Sequence, residues 1–88
     1  MSRITDRTDW FEIWFEDKQS IINTMVGNMT ADLNAGYDYF GKAIQNQRNE
    51  IENYKNEFDK QMMEFASMDE KTVNRWCFYD LKRRGAIA

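Results

Sequence analysis

The 88-residue chain has no histidine, no proline, one cysteine and four glycines. Without histidine, Ser-His-Asp and Cys-His nucleophilic catalysis are excluded, as are the commonest zinc sites. A single cysteine, Cys77, allows no disulfide within the chain. Apolar runs extend for only a few residues, which predicts neither a membrane span nor a secretory leader and makes the cytoplasm the expected compartment. The Asn28-Met29-Thr30 sequon is then a chance match. No stretch has the form of a glycine-rich phosphate loop. Glu50 and Glu57, seven residues apart, have no apolar pocket to split their acidities. The chain is therefore read as not an enzyme, with no cofactor and no metal.

The composition that remains favours helix. With proline absent, no backbone donor is lost from a helix interior, and Glu, Lys, Gln, Met and Ala are good helix formers. Aromatic residues make up 15% of the chain, too many for a disordered segment. A chain of 10.6 kDa folds to roughly 5,500 Å² from about 15,400 Å² when open, so about a third of its surface stays wet. A core so thin needs near-ideal helix packing or a partner chain.

Periodicity predicts one all-α domain over residues 1–88, a three-helix bundle with helices at about 9–35, 38–66 and 68–84. In the first, Asp9 is the N-cap with Glu12 in the capping-box position. Two apolar lines follow: Trp10, Trp14, Ile21, Met25, and Phe11, Phe15, Ile22, Val26, Met29, Leu33. Asn34-Ala35-Gly36 reads as its stop, although the rhythm of Leu33, Phe40 and Ile44 would also suit one bent rod. The second helix carries Phe40, Ile44, Ile51, Tyr54, Phe58, Met62 and Phe65 and is taken as the spine. Opposite charges four apart line its outside: Arg48 with Glu52, Lys55 with Asp59, Lys60 with Glu64. Ser67 and Glu70 read as a capping box for the third helix. Its inward residues are Val73, Trp76, Cys77 and Leu81; it ends on Lys82-Arg83-Arg84-Gly85, and Ala86-Ile87 supplies an apolar contact at the stop.

Charge is segregated. Residues 9–36 hold five acids against one lysine, whereas residues 67–88 hold three acids against five bases. Asp9, Glu12 and Glu16 share a helix face, with Asp17 nearby. Such a stripe can imitate nucleic-acid phosphates and occupy a basic groove on another protein. Trp10, Phe11, Ile13, Trp14 and Phe15 spread over about 200° of the wheel, wider than one facing helix needs. Either this helix is central to the fold or part of the arc meets another chain, since Trp and Phe make interface hot spots. An amide line at Asn46, Asn49, Asn53 and Asn56 reads as a plain polar face. Cys77 is expected buried and inert.

The tail Val73-Asn74-Arg75-Trp76-Cys77-Phe78-Tyr79-Asp80-Leu81-Lys82-Arg83-Arg84-Gly85-Ala86-Ile87 resembles the ends of short proteins on phages and mobile elements of Gram-positive bacteria. The likeness covers about a sixth of the chain and implies a genomic setting, not an activity. A small, acidic, helical protein of such origin is similar in kind to anti-CRISPR proteins. On that basis the expected function is binding and inhibition of a host defence complex, with a Cas nuclease or surveillance complex as partner. The residues expected to bind the partner are Trp10, Glu12, Trp14, Glu16 and Asp17. Two other readings stand beside it. One is a nucleic-acid-binding regulator using Arg75, Lys82, Arg83 and Arg84, set back by the acidic net charge of −3. The other is a homodimeric virion structural or assembly protein.

Overall fold

A computed structural model describes residues 9–87. Three helices run up, down and up: α1 Trp10–Asn34, α2 Lys42–Phe65 and α3 Glu70–Arg83. Their starts and stops follow from local hydrogen bonding. Asp9 caps α1 by accepting from the Glu12 amide at 3.2 Å. At its other end Gly36 takes φ +103°, and the Tyr37 and Gly36 amides reach back to the carbonyls of Asp32 and Leu33. That is a Schellman stop, and it separates α1 from α2. The same pair of bonds, from Ala86 to Leu81 and from Gly85 to Lys82, closes α3 with Gly85 at φ +76°. Ile87 then folds onto the core.

Two predicted boundaries are corrected. Helix α2 starts at Lys42 rather than Asp38, because Asp38 is engaged in a turn of its own. Its carboxylate accepts from the Phe40 amide at 3.3 Å and its carbonyl from the Gly41 amide at 2.9 Å. Phe40 is thereby left outside the helix and 82% exposed, not in the apolar line. The third helix is capped by Asp69 rather than Ser67. Asp69 accepts from the Thr72 amide at 3.3 Å, while the Ser67 hydroxyl donates backwards to the Glu64 carbonyl at 2.8 Å. The predicted charge pairs along α2 are not closed. Among the described residues the ion pairs are Arg83–Asp80, Arg84–Asp80 and Arg84–Asp17. Exposed long side chains gain too little in water to be held together.

The central helix is α1, not α2. It packs against both other helices, while α2 and α3 touch only weakly. Its two apolar lines explain this arrangement. Phe11 and Phe15 face α2, Trp10 and Asp17 face α3, and Trp14 stands between them, its ring on Phe58 and Phe65 of α2 and its indole N–H on Asp80 of α3. The arc that was too wide for one neighbour serves two. By contrast α2 carries a single buried stripe: Ile44, Ile51, Phe58 and Phe65. Because α3 is about 21 Å long and α1 about 37 Å, the third helix covers only one end of the α1–α2 hairpin. The molecule is accordingly elongated, 52 × 25 × 20 Å, with a radius of gyration of 16.5 Å against about 12 Å for a compact chain of this length.

Candidate functional site

The end where α3 lies is organised around Trp14, which is 1% exposed. Its ring stacks on Phe58 at 5.7 Å and meets Phe65 and Trp76 edge-on at 5.2 and 5.9 Å. Such geometry contributes beyond area burial, by about 0.5–1.5 kcal/mol per pair. The indole N–H would be orphaned in this setting, but it donates to Asp80 Oδ2 at 3.0 Å.

Asp80 is 5% exposed, the one buried charged residue among those described. Besides the Trp14 indole it accepts from Arg84 Nε at 3.0 Å and from the Arg83 guanidinium. Burial pushes its carboxyl up, but the bonds from Trp14, Arg83 and Arg84 outweigh burial and hold it below the ordinary value of 3.8. Arg84 also donates to Asp17 Oδ2 at 2.9 Å, clamping α3 to α1. Burial alone would lower the Arg84 pKa; the two carboxylates raise it instead. Nearby, the Phe11 amide, left without an intrahelical partner in the first turn of α1, donates to Asn74 Oδ1 at 3.0 Å. Cys77 is fully buried, and burial, with Asp80 and Asp9 adding to it, pushes its thiol up to about 12. A thiol so shielded is a small hydrophobe rather than a nucleophile.

These contacts divide the residues expected to bind a partner. Glu12 and Glu16 are exposed on the outward face of α1, with Asp9 and the exposed Ile13 between and beside them. Trp14 is turned into the core and offers nothing to a partner. Asp17 is half-buried and already neutralised by Arg84. Trp10 is half-buried against Phe78, with ring centroids 4.9 Å apart. The expected acidic-aromatic face is therefore an acidic face with one isoleucine, its aromatic residues lying beneath it.

The basic residues divide as well. Arg75, Lys82 and Arg83 are exposed, whereas Arg84 is held by the two carboxylates. The Lys82 ammonium lies 5.6 Å from the Phe78 ring centroid. Asn46, Asn49, Asn53 and Asn56 are all exposed on α2, and so are Glu50 and Glu57.

Asp80 escaped the sequence reading. The signal was present: residues 73, 77, 80 and 84 follow the helical spacing of one inward stripe, so a carboxylate at 80 had to be buried and an arginine at 84 could reach it.

Two concavities among the described residues offer no small-molecule site. A cleft of about 110 Å³ between the helices is lined by Lys18, Tyr54, Glu57, Gln61, Trp76 and Asp80 among others. It falls short of the roughly 300–1,000 Å³ that ligand pockets enclose. The Lys18 ammonium already sits over it, 5.0 Å from the Tyr54 ring and 5.7 Å from Trp14. A wider furrow, about 410 Å³, is bordered only by α1 residues between Phe15 and Thr24 and is an open flank of that helix. Among the described residues no group of three Cys, Asp or Glu side chains is placed to hold a metal ion, and no helix is long and apolar enough to cross a membrane. Comparison with known proteins gave no matching family model, no matching curated protein and no matching solved structure.

Proposed function

We propose that this chain is a binding protein that occupies a basic groove on a partner protein with the outward face of α1. Glu12 and Glu16 supply the charge and Ile13 an apolar contact between them. A nucleic-acid channel of a Cas nuclease or surveillance complex is the partner class that the resemblance of the tail suggests, which would make the chain a stoichiometric counter-defence inhibitor. The observation that carries the reading is that Glu12 and Glu16, exposed on one face of α1, form no ion pair among the described residues, whereas Asp17 and Asp80 are both paired with arginines. Directly beneath them the Trp14 ring fixes α1, so the two carboxylates are presented at little entropic cost on binding. Like-signed charge set on a rigid helix steers association with a basic partner and loses effect as salt rises.

The test is capture by the tagged chain from a lysate containing assembled Cas complexes, with nuclease treatment, read by mass spectrometry. A complex recovered after nuclease treatment, and lost with Glu12→Lys/Glu16→Lys, supports the proposal. Recovery of the same complex by a folded double variant contradicts the placement on α1, and recovery of the chain alone contradicts the partner class.

A further inference from the structure

A second charged surface stands on α3 and is independent of the first. Among the described residues α3 packs mainly on α1, with Trp76 also meeting Phe65 of α2, and no helix lies against its outer half. Lys71, Arg75, Phe78 and Lys82 fall at i, i+4, i+7 and i+11, one continuous stripe along that outer half, with Arg83 and Tyr79 beside it. The acids of α3 do not interrupt the stripe. Glu70 lies in the first turn, Asp69 caps the helix, and Asp80 is turned inward to Trp14 and Arg84. From 71 to 83 every exposed charge is positive, and neither Lys71 nor Arg75 forms an ion pair among the described residues. Tyr79 is 61% exposed and meets Phe78 edge-on at 5.4 Å, while the Lys82 ammonium lies over the Phe78 ring. Two aromatic rings are thus set between cations on an open helix face.

We infer that this face of α3 binds the backbone of a single-stranded nucleic acid, with Lys71, Arg75 and Lys82 on phosphates and Tyr79 as a stacking surface for a base. Charge complementarity selects a polyanion. The exposed ring among the cations selects unpaired bases, whose faces are free to stack, over a duplex. The stripe is about 16 Å long, enough to span a few nucleotides of an open strand. The net charge of −3 makes the contact local to α3 and strongly dependent on salt.

Fluorescence anisotropy of a short labelled oligothymidylate, titrated with the full chain at low and rising salt, tests the inference. Three phosphate contacts predict a slope of log affinity against log salt of about −2. Lys71→Ala/Arg75→Ala/Lys82→Ala should weaken binding tenfold or more and flatten the slope, with helical circular dichroism unchanged because all three side chains are exposed. Tyr79→Ala should weaken it about fivefold or more at an unchanged slope. Arg48→Ala/Lys55→Ala/Lys60→Ala, three exposed cations on α2, provide the charge-matched comparison and should leave the slope as it is. Absence of binding at low salt, wild-type affinity in the triple variant, an equal loss in the α2 variant or a preference for duplex would each overturn it.

Discussion

At the end covered by α3, Trp14, Phe58, Phe65, Trp76, Phe11 and Phe15 pack ring against ring, and a buried carboxylate gathers an indole and two guanidinium groups. At the other end, among the described residues, two helices meet without a third. There Ile44 and Ile51 are buried outside the main core cluster, and one side-chain hydrogen bond, Gln47 to Asp32 at 2.6 Å, joins the helices. The turn beyond them exposes Tyr37, Tyr39 and Phe40. The difference shows where stability resides. A hairpin of two helices buries one face of each, whereas the third helix gives α1 a second neighbour and removes the aromatic cluster from water. Both charged surfaces, acidic on α1 and basic on α3, stand on the better-packed end.

Substitutions can break this contrast, and the largest effect belongs to Trp14. Trp14→Ala should cost about 3–5 kcal/mol by emptying the ring cluster and stranding Asp80, enough to prevent folding of so small a domain. Asp80→Ala should cost about 2–3 kcal/mol, because the Trp14 N–H is left unpaired and Arg84 loses one of its two carboxylates. Ile44→Ala, though it empties a fully buried position, should cost about 2 kcal/mol and loosen the two-helix arm before the rest, since its neighbours there can collapse. Chemical denaturation monitored by tryptophan fluorescence and by circular dichroism separates these cases. The two probes should diverge for Ile44→Ala and coincide for Trp14→Ala if that variant folds at all.

The Asp80 network also carries a pH signature. Its folded pKa is depressed, so its contribution is fully present above the ordinary value of 3.8 and is lost as pH falls through the lower folded value. Asp80→Asn keeps an acceptor for the Trp14 indole but not the charge. The gap of about 1 kcal/mol expected between wild type and Asp80→Asn at neutral pH should close in acid below that value, which acid titrations of the two proteins at fixed denaturant can follow. The smallest effect is expected at the far turn. Phe40→Ser should change stability by less than about 0.5 kcal/mol, because the ring is largely in water already.

Much of this contrast was legible in the residues. The three periodic segments, the Asp9 cap, the glycine stops at Gly36 and Gly85, and the inward set Val73, Cys77 and Leu81 all follow from local spacing and backbone chemistry. What local rules could not decide was which helix is central. Two adjacent apolar lines on α1 fit either two intrachain neighbours or one neighbour and a partner, and only the packing distinguishes them. The same ambiguity placed Trp14 among the residues expected to bind a partner. Asp38 and Ser67 were misplaced for a different reason. Asp and Ser serve turns as readily as caps, and the choice depends on which amide is nearby. The pairing of Asp17 with Arg84 spans 67 positions and has no local signal at all.

Amide hydrogen exchange tests most directly the claim that one rigid end carries both charged faces. Amides in residues 14–22, 58–65 and 73–81 should exchange together, through global unfolding only. Those in residues 26–34 and 42–50 should exchange through a separate opening of lower free energy. Uniform protection along the whole of α1 and α2, or faster exchange in α3 than in the two-helix arm, would contradict it.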